Sequence, residues 1–195
     1  MTRFVNIHTH RPSGDAIEPT STGVHPWHVE HDDCERVSRD IALYDAVGET
    51  GLDFACDSDR SKQRAAFVRQ LHIAEEAGKP VVIHCVKAFE PVMEELAHHD
   101  LRAVIFHGFI GSPEQAARAV ARGYYLSFGE RTFASPKTIE ALRQVPLGQM
   151  FLETDDSPVA IEEIYGRVAD LRGITVDKLS EEMLRNYENV FGRDE

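Results

Sequence analysis

Short apolar segments alternate with amphipathic segments along most of this chain. The apolar segments have the length of β-strands, and most of the segments between them have helical periodicity with turn residues at their ends. This order predicts an α/β fold with a parallel sheet. The predicted strands cover residues 4–8, 22–25, 44–49, 80–84, 103–107, 124–128 and 149–153.

Local residue chemistry marks several of the helix ends. Residues 61–77 place Phe67, Leu71 and Ala74 on one face, and Gly78 follows as a C-terminal cap. A second helix begins at Ser112, with proline at its first position and a capping-box glutamine. Two further starts are predicted at Ser135-Pro136 and at Thr175, and the last helix has the apolar face Leu179, Met183, Tyr187 and Phe191.

Length and charge restrict the class of protein. A chain of 195 residues with 42% hydrophobic content supports one sizeable core, so we predict a single domain over residues 1–195. The formal net charge of −12 opposes passive attraction to nucleic acid or to an anionic membrane. An anionic substrate would need a local positive centre, which bound divalent cations can supply.

Cysteine usage and hydropathy predict a location. Cys34, Cys56 and Cys85 are an odd count without Cys-x-x-Cys spacing, which argues against a disulfide framework or a zinc ribbon. The first residues do not read as a signal peptide, and no apolar run approaches the roughly 20 residues of a membrane span. We therefore expect a soluble protein of the cytoplasm that does not contact a membrane.

Nearly every predicted strand ends in a residue that can bind a metal ion or transfer a proton. In a parallel α/β barrel the carboxyl ends of all strands open on one face, so these residues predict one pocket. Four other histidines, His31, His72, His98 and His99, fall on predicted helices and loops and are interpreted as solvated or structural. The strand-end residues are His8, His10, His25, Glu49, His84, His107 and Asp155.

This residue set suits a two-ion centre. Imidazole and carboxylate together bind zinc and similar ions, and a bridging carboxylate can hold two of them. Glu49 is the best bridging candidate, and Asp155 could bind one ion and orient a water molecule. The alternative for any one residue is structural, because a strand-end histidine can cap backbone groups and a carboxylate can pair with an arginine.

The order of the motifs resembles the TatD-type metal-dependent hydrolases of the amidohydrolase-like barrel group. The resemblance extends from the first strand to the last helix. It rests on the following segments in this order: Asn-Ile-His-Thr-His (6–10), Gly-Val-His-Pro (23–26), Gly-Glu-Thr-Gly-Leu-Asp (48–53), Pro-Val-Val-Ile-His (80–84), Phe-His-Gly-Phe-Ile-Gly (106–111), Leu-Glu-Thr-Asp-Asp-Ser-Pro (152–158) and Asn-Tyr-Glu-Asn-Val-Phe (186–191).

The resemblance implies roles for individual residues. One divalent ion would lie among His8, His10, Glu49 and Asp155, and a second among Glu49, His84 and His107, with Glu49 and Asp155 acting in catalysis. His25 and Asp53 match positions behind the ligands or beside the substrate, and such groups orient the ligands. Family activities centre on DNA phosphodiester hydrolysis, and some relatives cleave other esters, including those of misacylated tRNA.

Two departures from the family pattern affect these expectations. A full barrel takes about 250 residues, so we predict a truncated or distorted TIM-like (β/α) barrel of about seven strands. Its second β/α unit would be missing or reduced to residues 11–22. The family often has arginine where this chain has Val86, and Lys87 can replace it only as a point charge.

The main functional prediction is therefore a hydrolase that uses ion-activated water on a phosphodiester, either a small molecule or a nucleic acid. One or two divalent ions, of zinc, magnesium or manganese, would be its cofactors, and no obligate protein partner is evident. The alternatives are a lactone, aminoacyl-ester or amide hydrolase on the same site, and a non-catalytic metal-binding protein. Trp27 is predicted either at the pocket mouth or packed on the barrel, and Arg131 either near a substrate anion or in a surface ion pair.

Overall fold

The structure, a computed structural model, describes residues 2–192 and divides into two compact units. The central unit is Thr20–Phe106, and the terminal unit combines Met1–Pro19 with His107–Glu195. Within residues 2–192 no helix is long and apolar enough to cross a membrane. The assignment of all 195 residues to a single domain stays a prediction.

The central unit contains four strands and three α-helices. The strands pair in parallel in the order β1, β2, β3, β4, which confirms the α/β class predicted from the alternating pattern. A 3-10 turn at Pro26–His28 and another at Ile41–Leu43 complete the unit. In chain order the elements are β1 (Ser21–Thr22), α1 (Cys34–Asp40), β2 (Ala46–Asp53), α2 (Arg60–Ala77), β3 (Val81–Val86), α3 (Phe89–Leu96) and β4 (Val104–Phe106).

Helix α2 packs its apolar face into the core of the central unit. Phe67, Leu71 and Ala74 are fully buried, as the periodicity predicts. The helix begins one residue earlier than predicted, because the side chain of Asp59 caps it by accepting the Lys62 N–H. It ends at Gly78 with φ of +60°, the left-handed C-terminal cap expected from the glycine.

The described part of the terminal unit, residues 2–19 and 107–192, contains two parallel strands and four α-helices. Ser112 and Gln115 form the predicted capping box, and the Thr175 side chain caps the last helix by accepting the Lys178 N–H. Leu179 and Met183 are buried on that helix. The elements are α4 (Pro113–Ala121), β5 (Tyr125–Phe128), α5 (Pro136–Gln144), β6 (Met150–Leu152), α6 (Ile161–Arg172) and α7 (Val176–Phe191).

Six of the seven predicted strands are present, and the first is represented by isolated bridges. Val5 bridges to Ile17, and Thr9 bridges to Asp155, both in parallel. The Ile7 N–H donates to the Leu152 carbonyl at 3.0 Å, so this segment runs beside the end of β6. The buried Tyr165 hydroxyl donates to the Val5 carbonyl at 2.9 Å and accepts the Val5 N–H at 3.1 Å.

Residues 11–20 contain no helix, as predicted for a reduced second β/α unit. The carboxylate of Glu18 organises this loop by accepting the backbone N–H groups of Ser13 and Gly14 and an N–H of the Asn6 amide. Partial burial opposes ionisation of Glu18, but these hydrogen bonds hold its pKa below the ordinary value. The ionised side chain of Glu18 thus holds the loop at residues 11–20 together where a full barrel would have a strand and a helix.

Strands β2 and β3 approach closely where Gly51 faces His84. A Cβ at Gly51 would lie 2.0 Å from the His84 carbonyl oxygen, and φ at Gly51 is +142°. Both the space and the backbone conformation therefore require glycine at this point of the Gly-Glu-x-Gly motif.

We expect Gly51→Ala to lower the free energy of unfolding by at least about 2 kcal/mol, because it combines a steric clash with a strained φ. Gly166→Ala is the control, since Gly166 lies inside α6 and a Cβ added there would meet open space. Alanine there should stabilise the protein by about 0.5–1 kcal/mol. Urea unfolding followed by circular dichroism measures both changes, and equal effects of the two substitutions would contradict the packing argument.

Candidate metal centre

Histidine and carboxylate side chains gather within the strands or in the residues that follow them in both units. In the central unit His25, Glu49 and His84 each offer a ligand atom, and these atoms lie within 4.8 Å of one another. We call this set the central cluster. In the terminal unit the same criterion groups His8, His107 and Asp155, which we call the terminal cluster.

The central cluster is built on β2, on β3 and on the segment that follows β1. Strand β2 extends to Asp53, four residues beyond the predicted end, so Glu49 lies within the strand. His25 follows the two-residue β1 and caps the turn at Pro26–His28 instead of ending a strand. Oε2 of Glu49 lies 3.6 Å from Nε2 of His25 and 3.5 Å from Nδ1 of His84.

Hydrogen bonds define the roles of the ring nitrogens in the central cluster. The Trp27 backbone N–H donates to Nδ1 of His25, which leaves the ring proton of a neutral His25 on Nε2. That nitrogen lies 3.2 Å from Nδ1 of His84. Nε2 of His84 lies 3.0 Å from the Asp53 carboxylate, which favours a proton on Nε2 and a lone pair on Nδ1. Asp53 therefore orients His84, as a carboxylate does behind a ligating imidazole.

Trp27 contacts the same carboxylate oxygen, Oδ2 of Asp53. Its indole N–H donates to Oδ2 of Asp53 at 2.7 Å, while 55% of the residue surface remains exposed. Trp27 thus lies at the surface with its polar atom on a site residue. Burial opposes ionisation of Asp53, but hydrogen bonds from Trp27, His84 and the Ala55 N–H hold its pKa below the ordinary value.

Two glutamines of α2 hold the backbone of the central cluster, and sequence reasoning missed both. Gln63 accepts the Asp53 N–H at 2.8 Å and donates to the Asp53 carbonyl at 3.0 Å. Gln70 bonds to Val24 in the same way: it accepts the Val24 N–H at 2.6 Å and donates to the Val24 carbonyl at 3.1 Å. Both glutamines are buried and lie seven residues apart on one face of α2. The signal that could have identified them is the position of two polar residues, at helical spacing, on the predicted apolar face of this helix.

The terminal cluster joins the N-terminal segment to the residues that follow β6. Oδ1 of Asp155 lies 3.8 Å from Nε2 of His8 and 3.4 Å from Nε2 of His10. The rings of His8 and His107 are 4.6 Å apart, and both residues are buried. His10 adjoins this cluster through Asp155 and is exposed, since 54% of its side chain remains accessible.

Backbone pairing sets the register of this cluster. The Asp155 N–H donates to the His8 carbonyl at 3.1 Å, and the His10 N–H donates to the Asp155 carbonyl at 2.9 Å. The Asn6 carboxamide accepts the Thr154 N–H at 2.9 Å. This hydrogen bond joins the N-terminal segment to the residues after β6 at the position just before Asp155. Asp155 has φ of +53°, a conformation that most residues avoid and that clusters at functional sites.

Glu153 is a third residue that sequence reasoning did not assign to the site. It is fully buried, and its Oε1 lies 3.4 Å from Nδ1 of His107. Burial opposes ionisation of Glu153, but the His107 imidazole holds its pKa below the ordinary value. The carboxylate therefore orients His107 in the way that Asp53 orients His84. Its position as an acidic residue at the end of an apolar strand was the available signal.

A cavity of about 230 Å³ adjoins the terminal cluster. Its lining includes the carboxylates of Glu130, Glu153, Asp155 and Asp156, and Arg131 is its only basic residue. Arg131 lies within 3.4 Å of Asp156 and is largely exposed, which matches the surface ion pair that the sequence offered as one alternative. An anion would therefore meet a predominantly acidic wall.

The other predicted site residue, Lys87, follows β3 directly. It is exposed and has φ of +51°, so both residues other than glycine with positive φ in 2–192 belong to the predicted site. The prediction that His107 shares an ion with Glu49 and His84 stays a prediction; within its own unit His107 lies with His8 and Asp155.

The chemistry of both clusters fits divalent metal ions. Imidazole nitrogen and carboxylate oxygen are the donors that zinc and similar ions take in hydrolytic enzymes. In each cluster the donors converge, and a carboxylate behind one histidine orients its ring. A fold of parallel strands with such donors in the strands and just after them is that of a metal-dependent hydrolase. The model of the family TatD related DNase matches residues 18–192, so the chain belongs to this family.

Individual relatives agree with the family assignment. The uncharacterized metal-dependent hydrolase YjjV of Escherichia coli is 30% identical over 194 residues, which are 87% of this chain and 74% of that protein. The crystal structure of YjjV, a TatD homologue, superimposes with a TM-score of 0.83 at 27% identity and covers 91% of this chain and 78% of that one. Human deoxyribonuclease TATDN3 is 27% identical over 162 residues, 75% of this chain and 59% of the human protein.

We expect Trp27→Phe to lower the free energy of unfolding by about 1.5–3 kcal/mol at neutral pH, because it removes a hydrogen bond to the ionised Asp53. A carboxylate with a depressed folded pKa contributes stability above its unfolded pKa of about 3.9, and this stability is lost as pH falls through the folded pKa. The difference between wild type and variant should therefore narrow below about pH 4.

Urea unfolding at a series of pH values measures this difference. Leu43→Ala is the control, because Leu43 is another exposed apolar residue of the central unit, with 82% of its surface accessible. The effect of that substitution should not vary with pH. A Trp27→Phe effect that is equally independent of pH would contradict the assigned hydrogen bond.

Proposed function

We propose that the protein is a metal-dependent phosphodiester hydrolase of the deoxyribonuclease type. The observation that carries this proposal is the pair of histidine-carboxylate clusters, each with a buried carboxylate behind one of its imidazoles. A purely structural role would not require metal-ligating atoms to converge, and it would not require a carboxylate that orients one of the imidazoles. The name of the human relative, a deoxyribonuclease, favours DNA as the substrate class.

The residues of the two clusters would hold the ions. In the terminal unit these are His8, His10, His107 and Asp155, and in the central unit Glu49 and His84. When bound, a divalent ion lowers the pKa of a coordinated water and polarises the phosphoryl oxygen under attack. Zinc suits the imidazole-rich donor set, and magnesium or manganese suit the carboxylates.

The remaining site residues would bind and orient the substrate. Nε2 of His25 carries the ring proton and points toward Glu49 and His84, so it can donate a hydrogen bond to a phosphoryl oxygen beside them. Asp53 and Glu153 hold the rings of His84 and His107 in place. Asp155 would orient the attacking water and accept its proton on a carboxylate oxygen. Lys87, exposed after β3, would contact a phosphate as a point charge.

The acidic surroundings make this binding dependent on the ions. The chain carries a formal charge of −12, and the cavity beside Asp155 is lined mainly by carboxylates. A phosphodiester would be repelled until bound cations reverse the local charge. DNA binding should therefore require the metal as strongly as hydrolysis does. The same proposal places the protein in the cytoplasm, where its three free cysteines would stay reduced.

A screen of the metal-reconstituted protein tests the substrate class. We expect hydrolysis of bis-aryl phosphodiesters and of short DNA with zinc, magnesium or manganese, and loss of that hydrolysis in the presence of a chelator. Activity confined to lactones or aminoacyl esters would contradict the proposed phosphodiesterase and would indicate a carbonyl-ester hydrolase instead. Failure to bind any divalent ion would exclude the enzyme.

We expect Asp155→Asn to reduce the hydrolysis rate by more than about 100-fold, because even groups behind metal ligands contribute 10–100-fold. Asparagine tolerates the left-handed conformation found at this position, so the fold should be retained. Glu49→Gln should have a similar effect in the other cluster. Asp170→Asn, on the exposed face of α6, is the control and should keep full activity.

Steady-state rates, bound metal by mass spectrometry and far-ultraviolet circular dichroism should be measured together for these variants. A fully active Asp155→Asn protein with normal metal content would show that the terminal cluster does not take part in the reaction.

A further inference from the structure

A third group of metal-ligating side chains lies in the central unit away from the strand ends. His72, Glu75 and His99 each offer one ligand atom, and these atoms lie within 4.8 Å of one another. His72 and Glu75 are three residues apart on α2 and therefore share a face of the helix. His99 comes from the connection between α3 and β4. The sequence alone favoured a solvated or structural role for both histidines.

The carboxylate of Glu75 lies between the two imidazoles. Its Oε2 is 3.2 Å from Nδ1 of His99 and 3.8 Å from Nδ1 of His72. Its Oε1 accepts the Asp100 N–H at 2.8 Å, and this hydrogen bond orients the carboxylate with Oε2 toward the rings. The centroids of the two rings are 4.6 Å apart, with an angle of 74° between their planes. Three donors of the types that zinc prefers thus converge on a small volume.

The surroundings favour a cation at this position. Glu75 lies in the last turn of α2, where the helix dipole places partial negative charge, and no basic residue in that turn compensates it. The His99 side chain is only 4% exposed, so one ligand is held by packing. The His72 side chain is 54% exposed, which leaves an approach for the ion from solvent.

Chain topology separates this group from the central cluster. The last turn of α2 is followed within a few residues by the start of β3, and His99 comes five residues before β4 begins. The group therefore lies near the amino ends of these parallel strands, whereas His84 lies toward the carboxyl end of β3.

We propose that His72, Glu75 and His99 form a second kind of metal site, which binds a zinc-like divalent ion and ties the end of α2 to the connection before β4. The two imidazoles select zinc and similar transition ions over magnesium, which prefers oxygen ligands. The role is structural, because ion binding to the folded state stabilises it. The site does not depend on the proposed hydrolase activity.

Counting bound zinc tests the proposal. The 195-residue chain and its variants are dialysed against micromolar ZnCl₂, and the bound zinc per chain is measured by mass spectrometry. We expect His72→Ala to bind one zinc ion fewer than wild type, whereas His98→Ala, which removes an exposed neighbouring histidine, should bind the same amount. Glu75→Gln should reproduce the loss. The same experiment with MgCl₂ should show no difference between His72→Ala and wild type.

Thermal unfolding supplies a second measurement. Zinc should raise the melting temperature of wild type and of His98→Ala by more than that of His72→Ala, because only the latter lacks a ligand of this site. Equal zinc content and equal melting shifts in wild type and His72→Ala would overturn the proposal. The comparison is independent of the other clusters, because their contribution is the same in every variant.

Discussion

The close approach of β2 to β3 at Gly51 determines how the central cluster is arranged. A side chain at that position would meet the His84 carbonyl, so only glycine allows the two strands to pair in the observed register. Gly51 pairs with His84 in that register, and Asp53 pairs with Val86. The register therefore places the Asp53 carboxylate behind the imidazole of His84 and Glu49 in front of it. Main-chain packing, more than any side-chain hydrogen bond, defines the central cluster.

The terminal cluster depends on a similar backbone constraint. The N-terminal segment forms only isolated bridges, but its hydrogen bonds with the residues after β6 alternate between His8, His10 and Asp155. Asn6 fixes this register through its bonds to the Thr154 backbone and side chain. A shift by one residue would turn His8 and His10 to the opposite face. The buried carboxamide of Asn6 thus keeps His8, His10 and Asp155 in the register that brings their side chains together.

Local chemistry made four of the helices, α2, α4, α5 and α7, and most strands predictable. The capping box at Ser112 and Gln115, the cap at Thr175 and the left-handed Gly78 act over a few residues, so their sequence pattern is sufficient. The end of β2 was less predictable, because glycine and acidic residues in 48–53 read as a turn. Their place in a strand depends on pairing with β3. Gln63 and Gln70 were missed for the same reason, since their partners lie 10 and 46 residues away in sequence.

The sequence by itself determined the α/β class, the absence of a full second β/α unit and the identity of the candidate ligands, because alternating hydrophobicity and residue chemistry are written along the chain. Only the tertiary structure decided which group supports which ligand. Asp53 lies behind His84, Glu153 lies behind His107, and Glu18 organises the shortened loop. These relations arise from packing between distant segments, and the same residues in another register would have different partners. A buried carboxylate must be paired with a hydrogen-bond donor, because it has lost its contacts with water. At His84 and His107 this pairing fixes the orientation of the imidazole that donates to the carboxylate.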